Sequence, residues 1–533
     1  MSSCLGDIES SRPSRYHLWH EPELSAIRSA KRFGHDSVRK LSRILAIPVL
    51  AVLFLVPSAQ VPAAAPALAL TPCRLTHPSQ LVSVEAQCGR LTVPEDPAAP
   101  GGRQIQLFVA RVPAVSERGR PDPLFLLAGG PGLAATTFYT GVAPVFDRIH
   151  RDRDIVLVDQ RGTGASNALT CPGNPDPDAP DSTAALTQEA RSCLAALASH
   201  ADVADYTTSL AVRDLDAVRA ALHYDTINLY GGSYGTRVAQ HYLRRYPEHT
   251  RTVILDGVVP PQMTLGASLA LDAQSALERI FARCVADTAC HARFGDPDGT
   301  FDSLLTRLKT QAVAVAVPDP FSGVTRRFNF DAADLGVVVR LSSYSTETTA
   351  LLPLALDEAQ AHANFAPVAG LLLQVTHSLD NLLAYGMHNS VVCAEDVPGY
   401  GVSALERARL AQTYMGTAQL DALESICALW PRGPVDADFH QPLDSDTPVL
   451  LLSGSDDPVT PPSYAQQAAR GLHNSLQVVV SGMSHGQITA PCAARLLSRF
   501  IELGTTRGLD PELACIHLTV PTAFLTSFTG PPP

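Results

Sequence analysis

The sequence predicts an α/β fold: a mostly parallel central sheet with helices on both faces and a large helical cap inserted late in the chain. Short apolar runs closing on Gly or turn clusters recur at 104–112 (QIQLFVARV), 123–128 (PLFLLA), 154–158 (DIVLV), 226–230 (TINLY), 252–255 (TVIL), 448–453 (PVLLLS) and 476–480 (LQVVV). These are strand signals. They are apolar without polar alternation, as strands covered on both faces are. Helical stretches alternate with them, for instance at 207–222 and 236–246 on either side of TINLY, which is the βα order of a parallel sheet.

That alternation stops between 258 and 446, where the pattern is mostly helical (268–285, 301–313, 350–362, 403–429). The segment reads as a helical cap domain between a first core part at 70–257 and a second at 447–525. Residues 526–533, ending GPPP, read as a tail.

Composition narrows the function. Of 533 residues, 46% are apolar and 17% charged, enough to bury a large core, which excludes a disordered chain and a coiled coil. The formal net charge of −12 argues against nucleic acid as a partner.

Residues 1–69 are set apart as an N-terminal extension and signal peptide. Arg39, Lys40 and Arg43 precede the apolar run 44–56, and Ala63-Ala64-Ala65 and Ala67-Leu68-Ala69 follow as cleavage candidates. The run is short of the about 20 residues a spanning helix needs, so no stable membrane insertion is expected after cleavage. The compact basic lead VRKLSR predicts a translation start near Val38. An exported, periplasmic or secreted chain is an oxidised one. Beyond Cys4, ten cysteines remain: Cys73, Cys88, Cys171, Cys193, Cys284, Cys290, Cys393, Cys427, Cys492 and Cys515. An even number without a CxxC pair suits disulfides better than a metal, and pairing between sequence neighbours is the simplest connectivity.

The chemistry begins at Gly231-Gly232-Ser233-Tyr234-Gly235, where a strand runs into an amphipathic helix. This is G-x-S-x-G in its strand–turn–helix setting: a sharp turn lifts the Ser233 hydroxyl out of the sheet near a helix amino end. A serine needs a base, and the base an orienting carboxylate, in the order Ser, Asp, His. PVLLLSGSDDPVTP supplies Asp457, preferred over Asp456 because Pro458 fixes the turn after it. LQVVVSGMSHGQ supplies His485 on the loop after the next strand. For an oxyanion hole, the N–H of Tyr234 is one donor and the loop Gly129-Gly130-Pro131-Gly132 the other, assigned to Gly130. DQRGTGAS lacks the lysine of a nucleotide loop, and Asp159 with Arg161 is expected to brace the loops from below.

GGPG, DQRGTGAS, GGSYGT, DPVTP and SHG, in this order, resemble the proline iminopeptidase and tripeptidyl aminopeptidase family of α/β-hydrolase serine peptidases. The resemblance spans about 73–515, including a TAP-like carboxyl-terminal region. It implies the α/β-hydrolase fold, a triad on Ser233, Asp457 and His485, and release of a residue or short peptide from a free amino terminus. The chain departs in reading LAGGPG where many relatives have His before the glycines. Exopeptidases must hold the substrate ammonium, and Glu395, with Asp396 second, is the expected amine-binding carboxylate. The expected partner is a short peptide substrate, with no metal or organic cofactor. A carboxylesterase with the same triad and a catalytically silent peptide binder are the alternatives.

Overall fold

Among the described residues, nine strands form one sheet in the order β1-β2-β3-β5-β4-β6-β7-β10-β11. They are β1 (Thr71–Thr76), β2 (Ser83–Pro94), β3 (Gln104–Val112), β4 (Leu124–Leu127), β5 (Ile155–Val158), β6 (Ile227–Gly232), β7 (Thr250–Asp256), β10 (Val449–Gly454) and β11 (Ser475–Val480), while β8 (Val313–Pro318) and β9 (Thr325–Phe330) lie elsewhere. The computed structural model of the protein describes residues 68–79, 81–172 and 183–529. The expected signal peptide and start site lie outside them, apart from the last residues before position 70. β1, β2 and β3 pair antiparallel, β3 meets β5 antiparallel, and every later pairing in the sheet is parallel.

Burial explains which strands the sequence announces. β4, β5 and β10 are buried at every residue and β6 and β7 nearly so. One apolar layer on each face covers them. The helix Tyr234–Arg245 packs its Val238, Ala239 and Tyr242 on one side, and the helix Ala493–Leu503 packs Leu496, Leu497 and Phe500 on the other. β1 and β2 are polar and partly exposed, and no apolar run marks them.

The insertion between β7 and β10 carries its own core, built on Leu277, Ile280, Phe281, Phe301, Leu304, Val338, Leu352 and Leu356. Its helices include Leu269–Ala286, Ala332–Ser342, Thr346–Ala361, Ala366–Leu382 and Tyr385–Glu395. The sequence reading of this segment as helical missed the antiparallel hairpin β8–β9. It also ran 403–429 as one helix, where the chain breaks into Ala404–Leu410 and Ala418–Cys427. After the last helix, Asp510–His517, the chain returns to the cap, where Leu525 N–H donates to the Ala350 carbonyl at 3.0 Å.

The ten cysteines pair as sequence neighbours: Cys73–Cys88, Cys171–Cys193, Cys284–Cys290, Cys393–Cys427 and Cys492–Cys515. Among the described residues no helix is long and apolar enough to cross a membrane.

Candidate active site

Ser233 sits between β6 and the helix Tyr234–Arg245 with φ +54° and ψ −122°. That left-handed conformation is uncommon for a residue with a Cβ and marks stored strain. It persists because the flanks leave no other path. A Cβ on Gly231 would run into the Gly235 carbonyl, and one on Gly235 into the Leu127 carbonyl. The Ser233 N–H is tied to the Asp256 carbonyl at the end of β7, at 2.8 Å.

Asp457 and His485 meet on the neighbouring loops. Asp457 is buried after β10, and its Oδ1 accepts the Val459 and Thr460 N–H groups, both at 2.8 Å. Its Oδ2 accepts His485 Nδ1 at 2.8 Å and the Thr460 hydroxyl at 2.8 Å. Thr460 Oγ1 is also 3.1 Å from His485 Nδ1, so one hydroxyl touches both partners. Asp456 turns away to pair with Arg283 at 3.0 Å. The His485 ring lies against Gly257, the residue after the one that holds the Ser233 amide. A Cβ there would come within 3.0 Å of the ring Cε1. Ser233 Oγ makes no hydrogen bond to a described residue; such bonds are commonly long in unliganded enzymes and tighten on substrate.

Electrostatics suit a base. Burial opposes ionisation of Asp457, but the His485 charge and hydrogen bond, with the two backbone donors, hold its carboxyl below the usual range. Burial opposes the His485 charge too, yet Asp457, and behind it Asp256, raise the imidazole above its ordinary value. Asp256 is the hidden tie of the site. It accepts Tyr230 OH at 2.9 Å and the N–H groups of Gln487 and Ile488 at 2.7 and 3.1 Å, just past His485. Burial pushes its carboxyl up to about 6 against those donors.

The two expected oxyanion donors flank the serine. Tyr234 opens its helix, so its N–H has no intrahelical acceptor. The Gly129–Gly132 loop passes so close that a Cβ on Gly129 would lie 3.0 Å from that of Ser233. Gly130 holds φ +106°, a conformation glycine adopts freely. The cap holds this loop from above, with Ala384 N–H donating to the Gly132 carbonyl at 3.0 Å.

Glu395 and Asp396, the expected amine-binding carboxylates, sit in the cap beside Cys393 and already have partners within the chain. Both are buried at the end of the helix Tyr385–Glu395, and the cation beside them is the chain's own Arg237, 2.8 Å from Asp396 and 3.9 Å from Glu395. Glu395 further accepts Thr208 N–H at 2.6 Å and Thr208 Oγ1 at 2.9 Å. Thr208 Oγ1 is in turn 2.6 Å from the Tyr234 hydroxyl, which also accepts Gln160 Nε2 at 3.0 Å. The arrangement is a brace from cap to nucleophile helix. Asp159 and Arg161 are braces as well, but separate ones. Asp159 accepts Thr136 and Ala165, whereas Arg161 forms a two-point pair with Asp214 at 2.6 and 2.9 Å.

Sequence reasoning missed Thr460, Asp256 and Tyr344. Thr460 had a signal, three residues past Asp457 in an Asx-type turn. Tyr344 had none. It belongs to the cap, yet its carbonyl accepts the His485 N–H at 3.0 Å and its ring stands edge-on to the imidazole at 5.4 Å.

Known proteins bear out this architecture. Residues 122–283 match the family described as alpha/beta hydrolase fold, and residues 412–513 the family described as TAP-like protein. Serine protease Hip1 of Mycobacterium tuberculosis is 26% identical over 486 residues, covering 82% of this chain and 89% of that protein. Carboxylesterase B of the same organism is 30% identical over 437 residues, 75% of this chain and 80% of its own. Tripeptidyl aminopeptidase of Streptomyces lividans is 32% identical over 191 residues, 33% of this chain and 36% of that protein. With likeness of that extent over a sheet, elbow and histidine loop so arranged, the chain belongs to the α/β-hydrolases of the TAP-like family.

Proposed function

We propose that the protein is an exported serine exopeptidase that cleaves short peptides from a free amino terminus through an acyl-enzyme. The observation that carries the reading is the Asp457–His485 bond of 2.8 Å, held against Gly257 beside the Ser233 turn. His485 takes the Ser233 proton as the hydroxyl attacks the scissile carbonyl, and returns it to the leaving amine. Asp457 fixes the tautomer through Nδ1 and stabilises the imidazolium. The Tyr234 N–H and the Gly130 loop receive the developing oxyanion. Water then repeats the steps on the ester. Five disulfides support an oxidising, exported setting, and the relatives named serine protease and tripeptidyl aminopeptidase support peptide substrates.

The test is labelling of the mature protein by a fluorophosphonate, followed by a peptide-library digest read by mass spectrometry. The expected result is label on Ser233, its loss in Ser233→Ala, and cleavage only where the amino terminus is free. Failure to label Ser233 leaves a peptide binder on a hydrolase fold. In Glu395→Gln the preference for a free over an amino-acetylated terminus is expected to match that of wild type, because Thr208 and Arg237 already face that carboxyl. A second reading, a carboxylesterase, is favoured by the 30% identical relative of that name. Turnover of short acyl esters with none of amino-acyl anilides selects it.

A further inference from the structure

The nucleophile helix, Tyr234–Arg245, turns one face to a small cavity behind the serine. Arg237, Gln240, His241 and Arg244 recur at the i, i+3, i+4, i+7 spacing of a single helix face. With Pro261 and Phe439 they line a cavity in which the centre of a water molecule has about 10 Å³ of room. That is space for one water and for nothing larger. Arg237, Gln240, His241 and Phe439 are each at most 3% exposed. The Phe439 ring closes the wall, with the Arg237 guanidinium 5.6 Å and the His241 ring 4.9 Å from its centre.

Each of the four helix side chains is bonded outward and keeps one buried atom over. Arg237 donates from its terminal nitrogens to Asp396 Oδ1 at 2.8 Å and the Met263 carbonyl at 2.7 Å, which leaves Nε–H. Arg244 donates likewise to the carbonyls of Pro442 and Gln441 at 3.2 and 2.5 Å, and its Nε–H is left. Gln240 Nε2 donates to the carbonyls of Thr236 and Val259, both at 2.9 Å. Two acceptors at that nitrogen fix the amide's orientation, so the remaining atom, Oε1, is an acceptor. His241 Nε2 lies 3.0 Å from the Asp436 carboxylate and therefore carries the proton, which makes Nδ1 the second acceptor. Burial holds that imidazole down at about 4, in keeping with a neutral ring. None of the four atoms has a partner among the described residues.

We infer that this cavity is the binding site of one ordered water, which accepts from Arg237 Nε and Arg244 Nε and donates to Gln240 Oε1 and His241 Nδ1. Water offers two lone pairs and two protons, and the lining presents two donors and two acceptors. A halide would face two acceptors it cannot satisfy, and a metal cation would face two guanidinium groups. The water is a hub for the side chains that fasten the helix to both stems of the cap. Gln240 and Arg237 hold Val259 and Met263, on the stem leaving β7, while His241 and Arg244 hold Asp436, Gln441 and Pro442, on the stem entering β10. The same water completes Arg237, whose pair with Asp396 joins cap to nucleophile helix. The inference goes beyond the peptidase reading and does not depend on it.

The experiment is a crystal structure of the wild-type protein that resolves ordered water, with anomalous data from a second crystal grown in bromide. One oxygen peak is expected in the cavity, within about 2.6–3.2 Å of at least three of the four atoms, and no anomalous signal there. Absence of a peak, a bromide signal at the place, or direct pairing among the four side chains overturns the site. Neutron diffraction after exchange into D2O reads the roles: deuterons are expected on Arg237 Nε, Arg244 Nε and His241 Nε2, with those of the water aimed at Gln240 Oε1 and His241 Nδ1. A deuteron on His241 Nδ1 overturns the assignment of donors and acceptors. Loss of peptidase activity or of fluorophosphonate labelling at Ser233 would sink the functional reading and leave these outcomes unchanged.

Discussion

The backbone N–H of His485 donates to the carbonyl of Tyr344 at 3.0 Å, so the imidazole loop of the core hangs from the cap. Beside it, Ser484 Oγ lies 3.3 Å from Thr349 Oγ1. The Tyr344 ring stands edge-on to the imidazole, a contact worth about 0.5–1.5 kcal/mol. Tyr344→Ala is expected to lower kcat about two- to tenfold, with Ser233 still labelled by fluorophosphonate. Steady-state kinetics check it, and an unchanged kcat refutes a positioning role for the ring.

In the proposed mechanism the His485–Asp457 pair sets the pH response. His485 must be neutral to accept the serine proton, and its pKa is raised above 6.5. The acidic limb of kcat/KM is therefore expected above pH 6.5, reaching its plateau only as the imidazole deprotonates. Asp457→Asn removes the group that raises it, shifting the limb downward and lowering kcat by on the order of 10⁴. Stability runs the other way. The charged pair contributes fully between pH 3.8 and 6.5, and that contribution is lost as pH rises through the folded-state value of His485 or falls through that of Asp457.

Glu395 adds a second pH dependence, visible in unfolding rather than turnover. Burial lifts its carboxyl from 4.5 to about 8, even with Arg237 beside it. A raised carboxyl contributes stability that is complete below pH 4.5 and lost as pH climbs through about 8. Glu395→Gln is expected to flatten the fall of Tm between those values. Scanning calorimetry at several pH values measures it, and a slope equal to wild type counts against the buried-acid account.

Cys393–Cys427 closes a loop with a sequence separation of 34 residues, next to Glu395. Chain entropy assigns it about 3–4 kcal/mol. The double change Cys393→Ser with Cys427→Ser is expected to cost that much in urea unfolding, and a loss under about 1 kcal/mol runs against the entropic account.

The sequence shows the sheet well because its inner strands are buried on both faces and need continuous apolar runs; β4, β5 and β10 are of this kind. It is nearly silent on β1, β2 and β9, whose exposed residues include Arg and Thr, whereas the alternating Val and Ala of β8 carry a strand signal that the helical reading of the insertion passed over. The Ser233 turn is legible since its glycines are forced by close backbone approach. Of the two adjacent acids, Asp457 contacts His485 and Asp456 contacts Arg283. The carboxylates at 395 and 396 are legible as acids, but the cation they face is not. Their partner, Arg237, is 159 residues from Asp396 along the chain, and no local pattern encodes such a distance.

The cap touches each reacting part separately: Ala384 on the glycine loop, Tyr344 on the histidine loop, Glu395 and Asp396 on the serine helix. A shortened polypeptide joining β7 directly to β10 would keep every triad side chain and still lose all three supports. Hinged opening of the whole insertion would break all three ties at once, so the cap and the loops it braces form one mechanical unit.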